Sequence, residues 1–218
     1  TRDLLPLGSA AAMDLLYALD DRFQTGTVEP EAVVPIARLL GADTIWVTGD
    51  AAFERFRTAR PEVAADLFAS GVPGTGEPRA FGDPAVNVPD IPIVDEESLA
   101  DPRVGEPIPP VLLVPVTDAV PVVRAKDDVV LVTGSGDGLV DAAAAGLIDG
   151  HELVRYTGSL DGEELATAAA TASALVVTDS NRDRAHHWRG SQDVTGMTED
   201  DDPATPDPNQ RPTLTIAA

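Results

Sequence analysis

The stretch of sequence that decides the fold is residues 128–185, which reads DVVLVTGSGDGLVDAAAAGLIDGHELVRYTGSLDGEELATAAATASALVVTDSNRDRA. Its segment Val129-Val130-Leu131-Val132 is fully apolar, which is typical of a strand buried on both faces of a sheet. The predicted elements are strands at 129–132, 153–156 and 174–178, with helices at 139–145 and 160–172 between them. This alternation predicts an α/β fold with a parallel, doubly wound sheet of the Rossmann-like or flavodoxin-like kind.

The residues before this stretch predict several helices and one strand. Apolar side chains recur at helical spacing after Ser9, which is suited to capping a helix. Pro35 and Pro61 are suited to the first turn of a helix. The predicted elements are helices at 9–24, 34–40, 51–56 and 61–70, and a strand at 44–47. We therefore expect N-terminal helices to flank the sheet.

A long Pro- and Gly-rich excursion lies between these two parts of the chain. Its composition predicts an irregular connection or edge strands. Short strands are predicted after it at 111–116 and 120–123, and Pro115 and Pro121 favour edge positions. The predicted organisation is an N-terminal helical and α/β segment at 1–70, the Pro/Gly-rich connection at 71–110, the α/β core at 111–197 and an acidic, Pro-rich linker or tail at 198–218.

The charge of the chain excludes several classes of function. The 218 residues include 15 basic and 37 acidic side chains, a formal net charge of −22, and no cysteine. Such a surface repels phosphate backbones and anionic membranes, so we expect no nucleic-acid partner. The lack of cysteine excludes a disulfide scaffold and thiol catalysis. No apolar run is long enough to cross a bilayer and no signal-peptide pattern follows Thr1, so we expect a soluble piece of a longer protein, which does not itself insert into the membrane.

The loop after the first strand of the stretch is a candidate anion site. Gly134, Ser135 and Gly136 follow a strand and open a helix, which is where phosphates bind in such folds. The spacing matches neither the dinucleotide fingerprint nor a P-loop, and Asp137 places a negative charge where a phosphate would lie. A tight turn that lets the helix pack on the strand is the competing interpretation. Anion binding here would make the chain a free-standing α/β enzyme or a sensor of a phosphorylated metabolite.

The segment after the last predicted strand is the most unusual part of the sequence. It begins at the carboxyl end of a parallel strand, where ligands collect in open α/β sheets. An indole face can stack on a sugar ring, and carboxylate, amide and guanidinium groups can bind its hydroxyl groups. In the competing interpretation the arginines only pair with nearby acids and the tryptophan anchors a loop. The candidate glycan-binding residues are Asp179, Asn181, Arg182, His187 and Trp188.

Neither a metal site nor a catalytic triad is predicted. His186 and His187 are adjacent, and neighbouring side chains diverge on a helix or a strand, so the pair rarely reaches one ion. Ser135 and Ser180 lie outside any G-x-S-x-G pattern, which the nucleophile of an α/β-hydrolase occupies. We therefore predict no metal, no cofactor and no catalytic residue in this chain.

Three passages of the sequence resemble one family. They are residues 5–22, 41–58 and 177–188, and the last of them, which contains Asp179-Ser180-Asn181-Arg182, is the most distinctive. Together they are similar to the soluble extracytoplasmic portion of the large actinobacterial alpha-(1→3)-arabinofuranosyltransferases. The resemblance spans about residues 4–200.

This resemblance implies a setting in the cell envelope. Members of the family have a polytopic GT-C membrane domain and discoidin-like carbohydrate-binding modules, and they add arabinofuranose from a polyprenyl-phosphate donor to cell-wall arabinan. The resemblance implies an accessory domain on the extracytoplasmic face of the membrane, which contacts arabinan-type acceptor glycan or braces the catalytic domain of its own polypeptide. No catalytic residue carries over, because the catalytic acid of GT-C enzymes lies between membrane helices, so we expect this fragment to be inactive alone.

Overall fold

The computed structural model describes residues 10–56, 58–90, 105–126 and 129–178. Helices and strands mix throughout these ranges, as the sequence predicts. In chain order the elements are α1 (Ala10–Thr25), α2 (Pro30–Leu39), β1 (Thr44–Thr48), α3 (Phe53–Phe56), α4 (Pro61–Ala69), β2 (Arg79–Phe81), β3 (Val111–Pro115), β4 (Val129–Thr133), α5 (Gly136–Ala144), β5 (Leu153–Tyr156), a 3₁₀ turn (Thr157–Ser159), α6 (Gly162–Thr171) and β6 (Ala174–Val177).

A small parallel sheet of three strands forms the second half of the described chain. Its order is β5-β4-β6, with Val130 opposite both Val154 and Ala174. The central strand is buried on both faces, since Val130, Val132 and the intervening Leu131 are all at most 5% exposed. The predicted strand–helix alternation and parallel pairing are confirmed for these three strands. The doubly wound, Rossmann-like arrangement is not confirmed, because the remaining strands belong to a separate sheet.

That second sheet is antiparallel and corrects two predictions. Its order is β1-β3-β2, so β3 is the central strand and does not occupy an edge. Pro115 is tolerated there because it is the last residue of β3, and β2 pairs only as far as Leu113. The strand predicted at 120–123 is absent, and those residues are irregular. The edge strand β2, by contrast, lies within the Pro/Gly-rich connection, where edge strands were one of two predicted outcomes.

Helix α2 joins the two sheets. Its buried residues are divided between two clusters, because apolar side chains occur on more than one side of the helix. The parallel-sheet core contains Leu15, Ala18, Ala32, Ile36, Val130, Val132, Leu139, Val140, Ala142, Ala143 and Ile148. The antiparallel-sheet core contains Val33, Val34, Ala37, Val47, Phe68, Val72, Val114 and Val116.

Two helices begin earlier than the sequence pattern predicts. Helix α2 begins at Pro30, so Pro30 occupies the first turn and Pro35 lies inside the helix. Pro35 removes one helical hydrogen bond, and the burial of its neighbours compensates for that loss. Helix α5 begins at Gly136, so its first turn contains glycines that pattern matching assigned to the preceding loop. Helix α6 is capped by Asp161, whose side chain accepts from the N–H groups of Glu163 and Glu164.

Candidate functional site

The carboxyl ends of the three parallel strands meet at one edge, which we call the carboxyl edge of the parallel sheet. The Oγ1 atoms of Thr133 and Thr157 lie 3.1 Å apart and form a hydrogen bond. Thr178 donates to the carbonyl oxygen of Thr133 from both its N–H and its Oγ1, each at 3.0 Å. These hydroxyl groups therefore connect the ends of neighbouring strands and fix where the chain leaves β6.

The predicted anion loop lies at this edge and packs against α1. The N–H of Gly136 donates to Oδ2 of Asp14. A Cβ atom at Gly136 would lie 2.6 Å from the backbone oxygen of Asp14, so only glycine allows this close approach. Gly134 has a φ of 148°, which also favours glycine. The geometry supports the packing interpretation of Gly134, Ser135 and Gly136, and their binding of a phosphate stays a prediction.

The acids next to this loop pair with an arginine of α1. Arg22 lies 2.6 Å from Oδ1 of Asp141 and 3.7 Å from Oδ1 of Asp137. It also donates to the backbone oxygen of Asp137 at 3.2 Å. The Arg22 side chain is only 13% exposed, which strengthens these interactions relative to a surface pair. Their geometry fastens α1 to α5.

Tyr156 ends β5 at the same edge, and its hydroxyl group is buried. Its Oη has no hydrogen-bond partner among the described residues. Burial raises the pKa of Tyr156 well above its usual range, and the negative charge of Asp14 raises it further. The phenol is therefore neutral at physiological pH and is not a general base there.

His151 and Asp149 form a local contact in the loop between α5 and β5. Partial burial raises the pKa of Asp149, but hydrogen bonds from the backbone N–H and the ring of His151 outweigh it and lower that pKa overall. The backbone N and the ring Nδ1 of His151 lie 2.9 Å and 3.0 Å from Oδ1 of Asp149. Within the described ranges no group of three or more His, Asp or Glu side chains could hold a metal ion.

The predicted glycan-binding residues follow the last described residue of this edge. Asp179, Asn181, Arg182, His187 and Trp188 lie outside the described residues, and so does the predicted tail at 198–218. Thr178 ends the described chain beside Thr133, at the end of the central strand. The described chain thus ends at the carboxyl edge, and the glycan-binding roles of these five residues stay predictions.

Sequence reasoning missed a second candidate surface, which we call the outer sheet face. It is the side of the antiparallel sheet that faces away from the antiparallel-sheet core. Trp46 is 67% exposed and Phe81 45% exposed on it. The burial pattern of β1 alternates, with Val47 buried, and this alternation could have placed Trp46 outside. By pairing register its residues are Thr44, Trp46, Thr48, Arg79, Phe81, Val111, Leu113 and Pro115.

The fold and these surfaces define a mixed α/β protein in which a small parallel sheet and an antiparallel sheet share a helix. The chain belongs to the family described as "Alpha-(1->3)-arabinofuranosyltransferase, N-terminal GT-C domain", whose model matches residues 1–211. A GT-C domain of this family is part of a membrane glycosyltransferase of arabinan biosynthesis. None of the helices in the described ranges has the length and apolar character needed to span a membrane. No curated protein and no solved structure gives a significant match.

Proposed function

We propose that this chain is a non-catalytic accessory part of an arabinofuranosyltransferase, that it lies on the extracytoplasmic face of the membrane, and that it contacts the acceptor glycan. The observation that carries the glycan part of the proposal is the family match over residues 1–211. It supplies the chemical class of the ligand, since an arabinofuranosyltransferase acts on sugar chains.

The carboxylates at the carboxyl edge support a non-catalytic role. Asp14 accepts from the N–H of Gly136, and Arg22 pairs with both Asp137 and Asp141. A general acid or base needs a proton that it can exchange with substrate, whereas these groups are engaged in joining two helices. The neutral phenol of Tyr156 is buried beside them. These side chains therefore stabilise the packing of α1 against α5 at the carboxyl edge.

The fixed exit of the chain from β6 supports a glycan contact by the segment that follows. Two hydrogen bonds from Thr178 to Thr133 hold the last described residue against the central strand. Thr178, the residue before Asp179, is thereby held at the carboxyl edge, where ligands collect in open α/β sheets. Asp179, Asn181 and Arg182 supply hydrogen-bonding groups for sugar hydroxyls, and Trp188 supplies an aromatic face.

Calorimetric titration of the 218-residue chain with a synthetic oligosaccharide of alpha-linked arabinofuranose residues tests the proposal. We expect saturable binding that Trp188→Ala weakens about tenfold or more, because an aromatic anchor carries a large share of binding energy. An oligosaccharide of β-linked glucose is the control ligand. Phe56→Ala is the matched control variant, because Phe56 is a 71% exposed aromatic residue of α3 and is not one of the residues proposed to contact glycan.

The thermal stability of Trp188→Ala separates binding from folding. Weaker binding with an unchanged melting temperature supports the glycan contact. A large fall in melting temperature would instead support the competing interpretation, in which Trp188 anchors a loop and the arginines pair with nearby acids. Absence of binding by the unaltered chain would contradict the glycan contact and favour a bracing role in the larger polypeptide.

A further inference from the structure

The outer sheet face carries two exposed aromatic side chains, one on each of its outer strands. Trp46, Leu113 and Arg79 are opposite one another in one row across the three strands, and Thr48, Val111 and Phe81 form the next row. Leu113 and Val111, on the central strand, are half-buried. Trp46 and Phe81 lie on the two outer strands, on either side of Val111 and Leu113, and both are exposed. Two strand spacings and a two-residue step along the strands separate their backbones, about 12 Å in all, so a ligand that contacts both is longer than one sugar ring.

Each group on this face matches a feature of a neutral sugar chain. The C–H face of a sugar ring packs on an aromatic ring, and Trp46 and Phe81 are the aromatic residues here. The hydroxyl groups of Thr44 and Thr48 can donate and accept hydrogen bonds. The Arg79 guanidinium lies over the Phe81 ring, 5.6 Å from its centroid, which holds a planar donor beside that ring.

The charge of the face favours a neutral ligand over an anionic surface. None of its eight residues carries a carboxylate, although the whole chain has 37 acidic side chains and a net charge of −22. A neutral ligand meets no charge to desolvate except that of Arg79. An anionic membrane would be repelled by the rest of the chain.

The size of the face favours an oligosaccharide over a protein. Three strands of up to five residues cover about 200 Å². A stable protein interface buries about 800 Å² on each partner, which is several times larger. Exposed aromatic and aliphatic groups of this limited extent suit a small ligand that lies flat on the sheet.

We propose that the outer sheet face binds the acceptor glycan, with Trp46 and Phe81 as its aromatic contacts and Arg79, Thr44 and Thr48 as its hydrogen-bonding groups. This inference rests on the proposed function and places a second glycan contact on it, distinct from the segment after β6. The ligand is a chain of neutral alpha-linked arabinofuranose residues that crosses the outer sheet face from β1 to β2.

The two tryptophans of the chain allow the two contacts to be measured separately. Trp188→Phe leaves Trp46 as the fluorescent reporter of the outer sheet face, and Trp46→Phe leaves Trp188 as the reporter of the segment after β6. The probe is the arabinofuranose oligosaccharide. We expect the Trp46 emission to change saturably, and Phe81→Ala in the same background to weaken that binding about tenfold. Phe56→Ala serves as the exposed aromatic control.

Calorimetry on Trp46→Ala distinguishes failure of this inference from failure of the proposed function. Affinity reduced about tenfold relative to the unaltered chain supports the outer sheet face. Unchanged affinity, or a change from oligomer to monomer without an effect on glycan binding, overturns it while the proposed function stands. Absence of glycan binding by the unaltered chain overturns both. Trp46 is 67% exposed, so we expect the variant to fold.

Discussion

Gly136 lies where the first turn of α5 meets the backbone of α1. A Cβ atom there would lie 2.6 Å from the carbonyl oxygen of Asp14 and 2.7 Å from Cα of Leu15. Both contacts are with backbone, which cannot rotate away as a flexible side chain can. Glycine is therefore required at position 136 because a larger residue would not fit. This packing reason is independent of any binding of phosphate by the loop.

Replacing Gly136 by alanine should lower the free energy of unfolding by about 2 kcal/mol or more, because α1 and α5 must separate to admit the methyl group. Urea unfolding followed by circular dichroism measures the change. Gly162→Ala is the matched control, since Gly162 also begins a helix and a Cβ there meets nothing within 4 Å. We expect that control to keep or slightly raise stability. Equal losses at both glycines would contradict this account of Gly136.

Tyr156 should make the protein sensitive to alkali. Its pKa is raised in the folded state by burial and by Asp14, whereas an unfolded tyrosine ionises at about pH 10. The stabilisation is therefore fully present below about pH 10 and is lost as the pH rises, because the unfolded state then releases a proton that the folded state keeps. Tyr156→Phe should unfold less steeply with pH, and at neutral pH it should be as stable as the parent, since the removed hydroxyl is buried without a described partner.

The measurement is the free energy of unfolding in urea at about pH 8 and at about pH 11. Tyr17→Phe is the matched control, because Tyr17 is 50% exposed and is the other tyrosine of the chain. The control should keep the alkaline loss of the parent protein. If Tyr156→Phe lost as much stability between the two pH values as Tyr17→Phe, the buried phenol would not be its source.

At the scale of elements, α2 is the helix that the two cores share. Ala32 and Ile36 pack in the parallel-sheet core, and Val33, Val34 and Ala37 pack in the antiparallel-sheet core. The same helix carries Arg38, whose guanidinium donates to the backbone oxygens of Thr117 and Asp149. Thr117 follows β3 of the antiparallel sheet, and Asp149 lies in the loop that leads from α5 to β5 of the parallel sheet. We therefore expect the two sheets to unfold together.

A substitution in one core should be sensed in the other. Ile36 is completely buried in the parallel-sheet core, so Ile36→Ala should cost about 3 kcal/mol. In the Trp188→Phe background, Trp46 reports on the antiparallel sheet, and its unfolding midpoint in urea should fall with the midpoint of the far-ultraviolet circular dichroism signal, which reports on the helices of the whole chain. Leu175→Ala, at a 60% exposed leucine of β6, should change both midpoints little. A midpoint of Trp46 that does not move would mean that the cores unfold independently.

At the scale of the whole molecule, local patterns predicted the parallel sheet and not its antiparallel neighbour. The apolar strand at Val129 and the alternation of strands with helices are local signals, and they sufficed for the order of elements from β4 to β6. The pairing of β1 with β3 joins residues about 70 positions apart, as in the contact of Ile45 with Val114. Such pairing depends on which surfaces the cores must cover, which local propensity does not encode.

The candidate sites divide in the same way. Residue types and their position after β6 singled out Trp188 and its neighbours, which lie outside the described residues. The outer sheet face was missed because its residues come from three separate strands, and only the register brings Trp46, Leu113 and Arg79 into one row. The alternation within Thr44–Thr48 is a local pattern, and it indicates that Trp46 lies on the face opposite Val47. The residues of β2 and β3 that lie beside Trp46 could be identified only from the folded structure.

The central claim is that this member of the arabinofuranosyltransferase family contacts glycan, and titration of the unaltered 218-residue chain tests it most directly. With the alpha-linked arabinofuranose oligosaccharide in the calorimeter cell, we predict a saturable signal that the β-linked glucose oligosaccharide does not give. The same absence of signal for both sugars, with the protein folded by circular dichroism, would contradict the claim.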